Sequence, residues 1–354
     1  DVSGYSSSEE VQNISEFNPA EELAVTNSRV DGLEARVNDF EAGGFSETTT
    51  ASFSLDTVIG AVDGGNDGTE AVTFDWQMGI GLSTSFTGED SLDVAIDIGG
   101  GTADTADTET EASTIMGFDT TDSKLVVDGI TYTFPLGGAT VVVGDTTDIS
   151  STFTGACTYS AFTDSTPDDC GTKNSLGKGG NGVTASIGYA FDSGFSLAGG
   201  ISSTETAIMT KEGSDSFGVE AAYTADTYGV AVAYVSNDNA TSATSDVWGV
   251  NGYYTFDMAS ISVGLETLDD GTDEKSGYFV GVSFPEVGPG SVNVAAATTG
   301  LFKDSETELL IYEASYSYPI NDGMTITPLI YIQEDATAGQ PDRTGVMVLT
   351  TFKF

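Results

Sequence analysis

The chain has no histidine, two cysteines, eight prolines and only ten lysines and arginines in 354 residues. Each scarcity excludes something. Without histidine there is no imidazole for a serine or cysteine relay, and a zinc site would need carboxylates to complete it. No Asp/Glu pair stands beside a conspicuous nucleophile either, so no enzyme is expected, and no cofactor beyond weak, non-specific divalent cation binding. Ten basic side chains against 55 acidic ones, a net charge of −45, argue against nucleic acid and anionic phosphate ligands. Gly99-Gly100-Gly101-Thr102 is not a phosphate loop, because no Lys-Ser/Thr pair follows it. No run approaches the roughly 18 consecutive apolar residues of a helical membrane span, a test that leaves strand-built spans untouched. The sequence opens at Asp1 without a basic, apolar leader and reads as a mature exported chain.

Two textures are present. Residues 1–43 carry a helix start at Asn18-Pro19-Ala20-Glu21-Glu22: a capping residue, proline in the first turn, then acids suited to the positive helix end. Leu23, Thr26, Val30, Leu33, Val37 and Phe40 follow at heptad spacing, and Gly43-Gly44 ends the pattern. The stripe suits a short coiled coil joining several chains, or a helix packed on a core. From residue 44 to 354 the period is two. Phe74, Trp76, Met78, Ile80 and Leu82 alternate with Asp75, Gln77, Gly79, Gly81 and Ser83, and the same texture recurs in sixteen segments. Most are about ten residues long, the length of a tilted membrane strand.

The connections are sorted by length. Those after even-numbered segments are tight, as at Thr87-Gly88-Glu89, Gly137-Gly138 and Asn321-Asp322-Gly323, and those after odd-numbered segments are mostly longer. An even strand count with short turns at one end and long loops at the other predicts an all-β membrane protein, a 16-stranded antiparallel transmembrane β-barrel of the outer membrane. Asp128-Gly129 could close a hairpin, but splitting the fourth strand there would put the long loop 148–181 at the wrong end. The competing class is an acidic, secreted, β-rich surface protein. The last strand, Val346 to Phe354, alternates and ends on an aromatic residue, like the terminal strand by which outer-membrane proteins are recognised during assembly.

If the aliphatic and aromatic face of each strand meets lipid, the other face lines a lumen. Its ionisable members are Asp56, Asp75, Asp93, Asp97, Glu220, Glu266 and Glu313, with no lysine or arginine in the middle of any strand. Carboxylates around a water-filled channel attract cations and repel anions; individually each acid could serve only to keep the wall wet. The longest loop, 148–181, is the third long one. Cys157 and Cys170 within it are expected to form a disulfide, since two cysteines in one exported segment more often pair than bind metal. Asp148, Asp164, Asp168, Asp169, Lys173 and Lys178 would then belong to a constriction loop, or to a pinned loop outside the pore. Two acidic clusters, 269–274 and 104–122, invite a calcium reading, but neither matches an EF-hand loop, and a solvated acidic surface is the plainer account.

Three stretches carry a family resemblance: Val2-Ser3-Gly4-Tyr5-Ser6-Ser7-Ser8-Glu9-Glu10-Val11-Gln12, Arg29-Val30-Asp31-Gly32-Leu33-Glu34-Ala35-Arg36-Val37 and Phe45-Ser46-Glu47-Thr48-Thr49-Thr50. They resemble cyanobacterial outer-membrane porins related to the carbohydrate-selective (OprB-like) porins, as does Gly129-Ile130-Thr131-Tyr132-Thr133-Phe134-Pro135-Leu136-Gly137. The resemblance implies a sixteen-stranded barrel, a homotrimer, a periplasmic coiled coil and passage of small hydrophilic solutes. It departs in one respect: Phe17-Asn18-Pro19 runs straight into the helix, leaving too little chain for an S-layer-homology domain. Inorganic cations are the expected favoured solutes, with sugars or other organic solutes the alternative.

Overall fold

A computed structural model describes residues 48–64, 72–100, 115–119, 121–180, 182–238, 244–335 and 340–354. The expected helix and its stripe of Leu23, Val30, Leu33, Val37 and Phe40 lie outside the described residues, as does most of the 104–122 cluster.

Every predicted segment is a strand. In order they are β1 (Thr49–Asp63), β2 (Val72–Thr84), β3 (Ser91–Gly100), β4 (Val126–Leu136), β5 (Ala139–Asp145), β6 (Val183–Ala190), β7 (Phe195–Ser203) and β8 (Asp215–Thr224). The second half continues with β9 (Tyr228–Asp238), β10 (Ser245–Thr255), β11 (Ser260–Asp269), β12 (Glu274–Val287), β13 (Gly290–Thr298), β14 (Leu310–Asn321), β15 (Met324–Gln333) and β16 (Arg343–Lys353). Each pairs with its sequence neighbours, and β16 returns to β1, so the sheet closes into a barrel without exposed edges. The seam runs in register from Ser54↔Lys353 to Asp63↔Thr344. Phe354 finishes it: its amide donates to the Phe53 carbonyl at 3.1 Å, and the two rings stack 5.7 Å apart.

The alternation sets two faces. On β9, Tyr228, Val230 and Val232 point outward and exposed, while Ala231 and Ala233 point inward and buried. The outer surface is therefore an apolar band, stable only against another apolar phase. Aromatic pairs gather towards the short-turn rim of this band, including Tyr189–Phe191, Phe195–Tyr223, Tyr254–Phe256 and Tyr316–Tyr318. Rings with one apolar and one wettable edge suit a membrane interface.

Asp128-Gly129 is neither a turn nor a regular strand step. Ala95 pairs with Gly129 and Ile96 with Val127, so Asp128 is the extra residue of a β-bulge inside β4. This is why the dipeptide looks like a hairpin while the strand runs through it.

The inward face is not uniformly small and polar. Val58, Val62, Phe279, Ile311, Leu329, Tyr331 and Met347 form an apolar cluster inside the barrel, completed by Phe118, Tyr159 and Phe162 from loops. The lumen expectation fails there because two long loops fold inward and bury these side chains.

Candidate functional site

The third long loop, 146–182, leaves β5 and turns into the barrel. A 3-10 turn at Ile149–Thr152 packs on β5 to β8, with Ile149 wholly buried. Gly200 leaves room for it, since a side chain there would strike the Ile149 carbonyl. The chain then runs along the inner wall towards β14 and doubles back through a second 3-10 turn, Asp168–Gly171, against β11 and β12. Gly264 is required at that contact, because a β-carbon would meet the Cys170 carbonyl oxygen. A Cys157–Cys170 disulfide joins the outgoing and returning limbs, Cα to Cα 5.9 Å.

Three wall carboxylates hold the loop. On β8, Glu220 accepts the backbone N–H groups of Thr154 (2.9 Å) and Gly155 (2.7 Å). On β11, Glu266 accepts the Ser175 hydroxyl (2.5 Å) and the Asn174 side-chain amide (2.8 Å). On β14, Glu313 accepts the Tyr159 hydroxyl (2.8 Å) and the Thr163 hydroxyl (2.5 Å). Between them, Asn251 accepts the Ala156 amide at 2.8 Å and Ser262 the Thr158 amide at 3.1 Å. All three glutamates point inward as the alternation requires, but the loop covers them: Glu220 is 4% exposed, Glu266 1% and Glu313 2%.

The other wall acids lie elsewhere. Asp56 on β1 accepts the Thr351 hydroxyl at 2.6 Å and borders a cavity of about 630 Å³ with Gln77, Phe118, Phe162, Asn293 and Lys353. Asp93 on β3 takes the Ser91 hydroxyl at 2.9 Å. It shares a cavity of about 380 Å³ with Asp128, Asp148, Thr131 and Thr133. Asp97 borders another with Ser54, Gly79 and Gly81. Asp75 on β2 is buried.

Seven carboxylates of β3, the β4 bulge and the two inward loops form one band beside these cavities. Asp97, Asp119 and Asp128 come from β3, the second long loop and the β4 bulge, and lie close enough to repel one another. Asp128 also acts on Asp148. Asp164, Asp168 and Asp169 of the third loop continue the band. The second long loop reaches it through two bonds: Asp164 donates its amide to the Ile115 carbonyl at 2.9 Å, and Asp119 donates its amide to Gln77 at 3.0 Å. Two cations of the third loop interrupt it, and Lys353 lines the same cavity as Asp97. Lys173 pairs with Asp164 at 2.6 Å, and Lys178 sits between Glu266 and Asp148, its pKa lowered by burial.

Loss of water inside the barrel raises the carboxyl pKa of Asp119, Asp148 and Asp168. Asp169 rises to about 6, first from desolvation and then from the neighbouring Asp168 charge. Asp119 and Asp128 escape a reading of the sequence. One belongs to an acidic run that resembles a surface, the other to a turn-like dipeptide. Among the described residues, no group of three or more Cys, Asp or Glu is arranged to hold a metal ion.

No family model matches the chain. Among solved structures, an anion-selective porin from Comamonas acidovorans superposes with a TM-score of 0.65 at 16% identity, over 87% of this chain and 99% of that one. A loop-deletion mutant of the outer-membrane protein OmpT of Vibrio cholerae gives 0.60 at 11%, over 87% and 100%. A mutant of the Rhodopseudomonas blastica porin gives 0.55 at 16%, over 86% and 100%. The fold is that of a bacterial porin. In sequence, an uncharacterized protein of Nostoc sp. is 34% identical over 133 residues, 34% of this chain. The match spans 23% of that relative's length.

Proposed function

We propose that the chain is an outer-membrane porin for passive diffusion of small hydrophilic solutes, favouring inorganic cations. The observation that carries this reading is the acidic band Asp97–Asp119–Asp128–Asp148–Asp164–Asp168–Asp169, drawn from β3, the β4 bulge and the two inward loops. Among the described residues, Lys173 and Lys178 of the loop and Lys353 beside the Asp97 cavity offset it, and Lys173 is already paired. In a narrow aqueous path such one-signed charge concentrates cations and excludes anions. Diffusion through it needs no chemistry and no cofactor.

On the same reading the long loops lie outside the cell and residues 1–43 in the periplasm, where the heptad stripe joins three chains. The opening stretches support a cyanobacterial, OprB-related origin. Deleting residues 1–43 is then expected to abolish trimeric migration in native gels.

A second reading has its own observation. The cavity of about 630 Å³ combines Phe118 and Phe162 with Asn293, Ser315, Thr325 and Thr327, a mixture of rings and hydroxyl or amide groups that suits a sugar. Planar-bilayer reversal potentials under a potassium chloride gradient test the first reading: a cation-directed potential is expected, and an anion-directed one overturns it. Liposome swelling in mono- and disaccharides tests the second.

A further inference from the structure

Four of the seven inward carboxylates are buried, and three of them, Glu220, Glu266 and Glu313, are buried with the third loop hydrogen-bonded to them, which separates two roles within one set of acids. We infer that Glu220, Glu266 and Glu313 are positioning residues that set the pore's calibre by holding the third loop against the wall, and that they contribute little to ion selectivity. The inference rests on the chain forming a pore but not on the sign of its selectivity.

The three sit on β8, β11 and β14, three strands apart, and each meets a different stretch of the loop: 154–155, 174–175 and 159–163. Their strand neighbours are mostly small where the loop docks. Glu220 lies between Ala198 and Ala233, Glu266 between Gly249 and Gly277, and Glu313 between Ala295 and the larger Tyr331. At Glu220 and Glu266 a long acceptor rising from a floor of alanine or glycine reaches donors on a second chain segment. A shorter side chain could not, and a larger floor would hold that segment off. Carboxylate is also the group that accepts several donors while presenting none.

The donors differ in kind, which makes the inference specific. Glu220 faces two backbone N–H groups, and neither can become an acceptor. Glutamine there must turn its NH₂ towards one of them, leaving two donors opposed and a buried amide unsatisfied. Glu266 and Glu313 each face a hydroxyl, from Ser175 and Tyr159, that can rotate to accept from a glutamine NH₂. Glu220→Gln should therefore release the loop, while Glu266→Gln and Glu313→Gln should keep it docked.

The test uses the full chain in planar bilayers, with heat-modifiable gel migration to confirm that each variant folds. Glu220→Gln is expected to raise the population of conductance fluctuations about tenfold or more, the consequence of losing a charge-assisted bond, with the reversal potential unchanged. Glu266→Gln and Glu313→Gln are expected to leave both steady, while Asp128→Asn lowers the reversal potential without added fluctuation. The inference is overturned if Glu266→Gln or Glu313→Gln moves the reversal potential as far as Asp128→Asn, a readout that stands even where Glu220→Gln fails to fold. It is equally overturned by a folded Glu220→Gln channel as quiet as the parent. An anion-selective parent would sink the cation reading and leave the conductance comparison intact.

Discussion

The two sides of this barrel's lumen are lined by different kinds of surface. Along β7 to β14 the inner wall is dry: Ala231, Ala233 and Gly264 form a small floor, Phe279 and Ile311 join the apolar cluster, and the third loop lies over them, pinned by buried glutamates. Along β2 to β5 the wall is wet and acidic, with Asp93, Asp97 and Asp128 bordering cavities. The same residue type thus does two jobs. A carboxylate with a loop over it is a hydrogen-bond anchor, and one with water over it is a fixed charge. What separates them is the course of loop residues 146–180 over the wall.

The difference between the walls is most vulnerable at the disulfide. Replacing Cys157 and Cys170 with serine should cost about 3 kcal/mol in the chain-entropy account of a loop this size. It should also lower the temperature at which the folded band disappears in heat-modifiable gels. Steric substitution comes next. Gly264→Val drives a side chain into the Cys170 carbonyl and should cost about 1–3 kcal/mol. Gly79→Ala, on the wet side, meets the Ser54 hydroxyl at 2.9 Å and the Asp97 carboxylate at 3.6 Å and should cost less, because side-chain ends can move. Equal costs for the two would remove the distinction between dry and wet walls.

Charge effects are smaller. Neutralising Asp128 removes about 0.5 kcal/mol of attraction for a cation ~8 Å away in water and an equal repulsion for an anion, roughly a fivefold change in cation-to-anion permeability read from reversal potentials. The smallest effect is that of pH. Asp169 titrates near 6 and is neutral below that value, so acidification removes negative charge. Asp119, Asp148 and Asp168 are raised in the same direction. Cation preference should therefore weaken as pH falls through about 6. Asp169→Asn should flatten part of that step, and a preference that strengthens on acidification would contradict the assignment.

Much of the fold was legible in the residues because its signal is local. A strand crossing between lipid and water must alternate, so Val346 and Val348 announce one face and Met347 the other without knowledge of any partner. Sorted loop lengths then identified the barrel. Asp128-Gly129 was ambiguous because a bulge and a turn use similar residues, and only the pairing of Ala95 with Gly129 and Ile96 with Val127 decides between them. The inward direction of Glu220, Glu266 and Glu313 followed from periodicity, but their burial did not. Its one trace in the residues is that five of the six residues paired with these glutamates are alanine or glycine, Tyr331 beside Glu313 being the sixth, a pattern that needs the pairing register to be seen. The apolar cluster around Tyr331 and Met347 had no counterpart in the pattern, since its cover comes from Phe118, Tyr159 and Phe162 in loops.

By itself, then, the sequence determined a sixteen-stranded barrel, an acidic interior and a cysteine-bearing third loop, because period, loop length and charge are properties of neighbouring residues. Tertiary structure alone decided which acids meet water and which meet the loop. That choice depends on contacts between residues as far apart as Thr163 and Glu313. Nothing in the period of a strand encodes where an aperiodic segment comes to rest.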